Sequence, residues 1–235
     1  MNLFYTAHII PNDKSFILDE TESKHAIKVL RLGQKDIIHL IDGKGHFYEA
    51  EIIDAHPKKC EVKINQVKKE EKPKSYIHIA IAPTKNTDRI EWFVEKVTEI
   101  GISEITPIVC DHSERKVLKT DRLEKRAIAA MKQSLKAFLP KINEAISLKD
   151  FIQQTAKDEN KMIAHCYQEE QKHLKEVYKT TQNCIILIGP EGDFSQQEVE
   201  LAMKNNFTPI SLGASRLRTE TAGMVACHTI NLLNE

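Results

Sequence analysis

From residue 76 to the C-terminus, short apolar runs alternate with stretches whose apolar residues recur at helical spacing. Residues 77–82, 104–110, 161–167, 184–188 and 208–212 read as strands. Between them, Ile90, Phe93, Val94 and Val97 mark one face of a helix that a capping box of Asp88 and Glu91 would start and Gly101 would end. A longer helix is expected over 121–138, with Leu123, Ile128, Met131, Leu135 and Phe138 inward, and another around 170–178. Ser195 with Glu198 is a second capping box. The last helix, over 222–233, carries a stripe of Ala222, Val225, Ala226, Thr229 and Leu233. Five strands alternating with helices predict a parallel sheet covered on both faces.

The first part of the chain follows a different rhythm. Residues 3–10, 15–18, 36–41, 47–53 and 60–67 are strand-like and separated by turn chemistry, with Asp42-Gly43-Lys44-Gly45 as a hairpin connection. One helix interrupts them, capped by Asp19 and Glu22, with Ala26, Ile27 and Leu30 inward and Gly33 as its stop. This pattern predicts a small barrel with one helix. Residues 67–75 are polar, charged and interrupted by Pro73, as linkers are. Two domains are therefore expected, over 1–70 and 75–235.

Composition adds mainly exclusions. Hydrophobic residues at 41% and charged residues at 29% describe an ordinary globular chain. No apolar run reaches the roughly 18 residues that span a bilayer, and the N-terminus lacks a basic region leading into an apolar core, so a cytoplasmic protein is expected. The five cysteines are widely spaced and read as buried thiols, and the ten histidines form no zinc spacing, so no metal is expected. A net charge of zero argues against nucleic acid unless the charge is segregated. It is segregated: Lys24, His25, Lys28, Arg31 and Lys35 occur with no acid between 24 and 35, and residues 111–141 hold nine Lys or Arg against four acids. Solvated helix faces are the competing explanation.

The chemistry gathers in two Gly-punctuated loops that each leave a strand and enter a helix. The first is Gly189-Pro190-Glu191-Gly192-Asp193-Phe194-Ser195, and the second is Leu212-Gly213-Ala214-Ser215-Arg216-Leu217-Arg218-Thr219-Glu220-Thr221-Ala222. Strand ends of this kind hold ligands in parallel sheets. Neither loop has a triphosphate-loop ending or a complete dinucleotide fingerprint, and Glu191 with Asp193 would repel a phosphate. Glycines that let backbone approach a flat base, beside carboxylates that tolerate a sulfonium or ammonium, fit better. A plain tight turn with a helix cap remains open for the first loop taken alone.

Together the two loops resemble the signature motifs of the RsmE-type 16S ribosomal RNA uridine-N3 methyltransferases of the SPOUT superfamily. The resemblance extends through Val29-Leu30-Arg31, Asp42-Gly43-Lys44-Gly45, Asp88-Arg89, Lys96-Val97-Thr98-Glu99-Ile100-Gly101, Ser113-Glu114-Arg115 and Lys132-Gln133-Ser134. Asp193 departs from it where a second glycine is usual, Ala129 where an acid is common, and Leu135-Lys136 where Gly-Arg is frequent. The resemblance implies a PUA-like RNA-binding β-barrel followed by a SPOUT α/β domain with a C-terminal trefoil knot around a parallel sheet. It also implies a homodimer that binds S-adenosylmethionine (SAM) and acts on 16S rRNA or the small ribosomal subunit. Cofactor contacts are then expected from Pro83, Thr84, Leu187, Ile188, Gly189, Pro190, Glu191, Gly192, Leu212, Gly213, Leu217, Arg218, Thr219, Thr221 and Ala222. RNA contacts are expected from Lys24, Lys28, Arg31, Lys85, Arg89, Arg115 and Lys132. Arg218 is the candidate to stabilise the uracil anion, and Glu220 or Glu191 the candidate proton acceptor. Three alternatives stay open: a non-catalytic RNA-binding protein with the same fold, a methyltransferase of another RNA, and a nucleotide-dependent α/β enzyme.

Overall fold

The structure is a computed structural model that describes residues 2–155, 160–167 and 171–235. The chain forms two compact units, one of residues 1–72 with 131–139 and one of residues 73–130 with 140–235.

In the first unit a five-stranded sheet has the order β1-β3-β4-β5-β2. Its strands are β1 (Leu3–Tyr5), β2 (Ser15–Ile17), β3 (Ile37–Ile41), β4 (His46–Asp54) and β5 (Glu61–Lys69). Period-two alternation sends Ile38, Leu40, Tyr48, Ala50, Ile52 and Val62 into one core with Phe4, Leu18 and Ala26. Helix α1 (Glu20–Lys24) is capped by Asp19, as expected, but passes into a π-helical turn over His25–Val29. Arg31, not Gly33, ends it. Arg31 takes a left-handed φ of 57°, and the Leu32 amide bonds back to the Ala26 carbonyl at 3.0 Å, the closure that usually employs a glycine.

The second unit is built on parallel strands in the order β12-β10-β11-β6-β7-β8, with β9 also paired to β7. These are β6 (Ile77–Ile81), β7 (Glu104–Val109), β8 (Lys141–Ile142), β9 (Ile146–Ser147), β10 (Lys161–Ala164), β11 (Cys184–Ile188) and β12 (Phe207–Ile210). All five residues of β6 and of β11 are buried, which explains why both strands read as unbroken apolar runs. Around the sheet lie α2 (Thr87–Ile100), α3 (Thr120–Gln133), α4 (Leu148–Gln154), α5 (Leu174–Val177), α6 (Gln196–Lys204) and α7 (Thr219–Asn234). After β12, at the edge, the chain returns to place α7 against α2, β6 and β11.

Several local expectations are corrected. Asn86, not Asp88, caps α2, its side chain accepting from the Asp88 amide. Glu91 instead turns inward, where its carboxylate lies 2.7 Å from Arg122 Nε and 3.2 Å from Arg126 Nη2. Helix α3 stops at Gln133: Leu135 has a left-handed φ of 55° and is half exposed, and Ala127 and Ala130 fill the inward positions beside Leu123 and Met131. The two short strands β8 and β9 and helix α4 were not anticipated. Residues 168–170, where the start of a helix was expected, lie outside the described residues, and α5 covers only Leu174–Val177. The inward stripe of α7 is Gly223, Ala226, Cys227 and Ile230, rotated from the expected one. Gly223 explains the rotation, because a Cβ there would stand 2.5 Å from the Phe93 ring, so only glycine lets α7 approach α2 this closely.

Candidate active site at the carboxyl ends of the strands

The carboxyl ends of β10, β11, β12, β6 and β7 converge on the two Gly-punctuated loops. Ser195 caps α6 with the full reciprocal box to Glu198. The same pair reaches the end of β7, for Ser195 Oγ donates to Asp111 Oδ2 at 2.6 Å and the Asp111 amide donates to Glu198 Oε1 at 2.8 Å. His112 Nδ1 sits 3.1 Å from both the Gly192 and Asp193 carbonyls. The first loop is thus clamped from β7 by residues that strand and helix patterns did not mark.

Asp193 performs a second clamp. Its backbone is left-handed, with φ of 63°, where glycine would be relaxed. In return its carboxylate accepts from the Cys166 amide at 2.7 Å and from the Phe194 amide at 2.8 Å, tying the loop to the end of β10. Tyr167 adds a bond from its hydroxyl to the Phe194 carbonyl at 2.8 Å. The second loop joins the first through Thr219, whose hydroxyl donates to the Gly189 carbonyl at 3.0 Å.

Two concavities open between these loops, of about 570 Å³ and 270 Å³. They share Ala164, Cys166, Arg216, Leu217 and Ala222. Gly213, at φ of 126°, borders open space, with no heavy atom within 4 Å of the position a Cβ would take. The tertiary backbone bonds of the described chain include none from residues 214–217, so amides and carbonyls there remain available to a ligand edge. Burial and then the Asp193 carboxylate push the Cys166 thiol up, which keeps it protonated and poorly nucleophilic.

Of the residues expected to hold a cofactor, Ile188, Gly189, Pro190, Glu191, Leu212, Gly213, Leu217, Arg218, Thr219 and Ala222 line these concavities. Thr221 lines a neighbouring hollow with Asp88, Arg89, Trp92, Arg218 and Glu220. Leu187, Pro83 and Thr84 are placed behind the surface, and Gly192 is exposed but lines neither concavity. Leu187 faces the hydrophobic core. Pro83 and Thr84 are buried, and the Thr84 and Lys85 carbonyls accept from Arg115 at 3.3 Å and 2.8 Å. A Cβ at Gly192 would meet His112 at 3.1 Å, so the space that glycine leaves is occupied by protein.

The charged candidates also separate. Glu191 Oε1 accepts from the Lys85 amide at 3.1 Å. Glu220, in the first turn of α7, is 6% exposed; Arg89 Nε lies 3.8 Å from its Oε1, and its Oε2 has no hydrogen-bond partner among the described residues. Arg218 lies on the rim shared by the smaller concavity and the hollow that Glu220 lines, and no ion pair to a described residue holds it. Lys85 pairs with Glu114 at 2.8 Å, Lys24 with Glu20 at 2.7 Å and Lys132 with Glu22 at 2.7 Å. Lys28 and Arg31 are exposed without such partners among the described residues.

Residues 70–231 match the model of an RNA methyltransferase domain, and residues 18–65 match that of an RNA methyltransferase PUA domain. A ribosomal RNA small subunit methyltransferase E from Mesomycoplasma hyopneumoniae is 32% identical, over 89% of this chain and 90% of its own. The chain belongs to this RNA methyltransferase family. Within the family the fold is shared closely: the crystal structure of a probable rRNA-methyltransferase from Porphyromonas gingivalis superposes with a TM-score of 0.92 at 43% identity, covering 100% of this chain and 98% of the other. A structure from Legionella pneumophila, named as a methyltransferase in complex with its bound cofactor SAM, superposes at 0.88 with 26% identity, covering 99% and 97%. The two loops around Gly189 and Gly213 thus lie within the matched methyltransferase domain. The helix of the first unit and its Lys28 lie within the matched PUA domain. The walls contributed by residues 164–167 escaped sequence reading because strand order, which brings β10 between β11 and β12, is not written in local pattern.

Proposed function

We infer that the protein transfers a methyl group from SAM to N3 of a uridine in 16S rRNA of the small ribosomal subunit. The observation that carries this reading is the position of Arg218, which lines both the smaller concavity and the hollow that Glu220 also lines. The concavities suit SAM on chemical grounds. Ala164, Ile210, Leu212, Leu217 and Ala222 offer an apolar wall to a flat base, the backbone of 214–217 offers uncommitted donors and acceptors, and Glu191 and Asp193 place negative charge near a sulfonium. When bound, the cofactor supplies the electrophilic methyl group.

The chain's own residues then handle the uracil. Its N3–H is a weakly acidic imide that must lose a proton for N3 to attack. The Arg218 guanidinium stabilises the negative charge that develops on the flanking carbonyl oxygens. Glu220, which lines the same hollow as Arg218, is the candidate to accept the proton. Glu191 is less suited, because one of its oxygens already holds the Lys85 amide. The short bonds that tie residues 189–195 to β7 and β10 keep the loops preorganised, which in-line transfer demands.

The exposed Lys28 and Arg31 of the first unit supply the phosphate-binding charge. A homodimer is part of the same proposal, supported by the exposed apolar side chains of Trp92 on α2 and Leu232 on α7, two helices that pack together. Incubating the protein with labelled SAM and small ribosomal subunits from a strain lacking the modification should give one labelled base, identified by mass spectrometry as N3-methyluridine. Label on a different base, or none with intact subunits, would overturn the reading. Sedimentation of the whole chain at micromolar concentration should give the dimer mass.

A further inference from the structure

The outer face of the first unit's sheet is covered over only part of its area. Residues 131–139 close one part, where Met131 and Leu139 pack on Leu3, Tyr5, Ile41 and Phe47. The Leu139 amide bonds the Gly43 carbonyl, and the Gly45 amide bonds the Ala137 carbonyl, each at 3.0 Å. The cover then stops at Leu135, in its left-handed conformation. Beside it the sheet leaves a concavity of about 350 Å³.

The walls of this hollow are set by register. His39 on β3 is paired with Glu49 on β4, and Glu49 with Gln66 on β5, so three polar side chains stand in a row across three strands. One pair further along, Phe47 opposes Lys68. His39 Nδ1 is buried with no hydrogen-bond partner among the described residues. The side chains of Glu49, Gln66 and Lys68 form no hydrogen bond or ion pair to a described residue either. At the amino end of the parallel sheet, by contrast, polar side chains gathered in a hollow satisfy one another, as Glu104 does with Tyr76, Lys141 and Asn143. Here they converge with their bonding capacity unspent, beside an aromatic ring.

We propose that this hollow is a recognition site for one unpaired guanine of the RNA substrate. An unstacked base is read by an aromatic surface and by hydrogen bonds to its Watson–Crick edge. Phe47 supplies the first. Guanine presents two adjacent donors on that edge, N1–H and N2–H, and an ionised carboxylate, with two acceptor oxygens and no donor, pairs with them bidentately. Glu49 is that carboxylate. Gln66 offers an amide hydrogen to O6, the His39 ring offers a further polar partner, and Lys68 on the same face meets the adjoining phosphate. Adenine brings an acceptor, N1, to the oxygen that guanine would fill with a donor, and uracil has a single donor on that edge. The volume suits one base at the lower end of the range for small-ligand sites.

The proposal rests on the reading of the protein as an enzyme of RNA, and its test separates the two. Fluorescence anisotropy of the intact protein with the pentanucleotides UUGUU, UUAUU and UUUUU should show UUGUU bound about tenfold more tightly than the others. Glu49→Gln should remove that preference, while UUUUU affinity holds or rises because an acid has left a phosphate-binding surface. Gln66→Ala, on an exposed strand position, should reduce the preference without altering thermal unfolding. In the imidazole nitrogen spectrum, UUGUU should shift His39 and UUUUU should not. Equal affinities for the three oligonucleotides, or equal weakening of all three by Glu49→Gln, overturns the guanine site. Should methyl transfer to small subunits proceed normally alongside such a result, the guanine site falls alone; should transfer and all RNA binding be absent together, the RNA reading falls with it.

Discussion

The two ends of the parallel sheet solve opposite problems. At the amino end lies the larger concavity, about 750 Å³, and its polar residues are bound to one another. Glu104 accepts from Asn143 Nδ2 at 2.6 Å, Tyr76 Oη at 2.7 Å and Lys141 Nζ at 2.9 Å, while Thr106 accepts from Asn143 at 2.7 Å and lies 2.7 Å from His78 Nε2. Burial of Glu104 opposes its ionisation, but the bonds from Asn143, Tyr76 and Lys141 outweigh it and lower its pKa to about 2. At the carboxyl end the concavities are smaller and are bordered by unbonded backbone, a left-handed Gly213 and a left-handed Asp193, while Glu220, whose Oε2 has no partner among the described residues, lines the neighbouring hollow. Size therefore misleads. Saturated polar groups mark an end that stabilises the fold, and unsatisfied ones leave the carboxyl end with the bonding capacity that the proposed function uses.

The sharpest way to break this comparison is Arg218→Ala. Removing a cation that acts on the developing uracil anion should lower turnover by about two to three orders of magnitude, with SAM affinity and melting temperature nearly unchanged. Single-turnover kinetics, calorimetry with SAM and thermal unfolding read the three quantities. A parallel loss of SAM binding or of stability would make Arg218 a structural residue of the loop.

At the amino end the expectation reverses. Glu104→Ala strips the partner from Lys141, Tyr76 and Asn143 and should cost about 3 kcal/mol of stability, with kcat on folded protein unchanged. The pH dependence follows from the direction of the shift. A carboxyl whose folded pKa lies near 2, below its ordinary 4.5, contributes stability that is complete above 4.5 and is lost as pH falls toward 2. Urea unfolding of the wild type should weaken across that interval, and the variant should weaken less steeply there. Equal slopes would remove Glu104 from the account of acid sensitivity.

Gly223→Val tests a position where packing and site meet. Its side chain would collide with Phe93 and Ile81, pushing α7 from α2 and β6, and a cost of about 2 kcal/mol is expected with a measurable rise in the Kd for SAM, since α7 begins at the second loop. Wild-type SAM affinity in a destabilised Gly223→Val would show that the loop is held by the Thr219 to Gly189 bond without help from the helix. The smallest effect is expected at Arg31→Gly. Glycine relaxes the left-handed backbone, so stability should hold or rise by about 0.5 to 1 kcal/mol, while RNA binding weakens and its salt dependence flattens by roughly one counterion. Unchanged RNA binding would move the phosphate contact away from Arg31.

The alternation of apolar runs and helical stripes from residue 76 onward determined a parallel α/β sheet, and Gly189, Gly213 and the Ser195 capping box located the loops at the carboxyl ends of its strands, because each is a local constraint on backbone geometry. Local sequence could not show what lies opposite each residue. Strand order brought residues 164–167 to the concavities between the loops, and the segment after β7 supplied His112 to close the space beside Gly192. The same limitation hid the roles of charge. Glu91 looked like half of a capping box until α3 set Arg122 and Arg126 against it, and Lys132, expected at the RNA, also meets Glu22, 110 residues away in sequence. Periodicity reports which face of an element is buried, but the partner of a charge depends on distances between elements far apart in the chain, and only the tertiary fold fixes those.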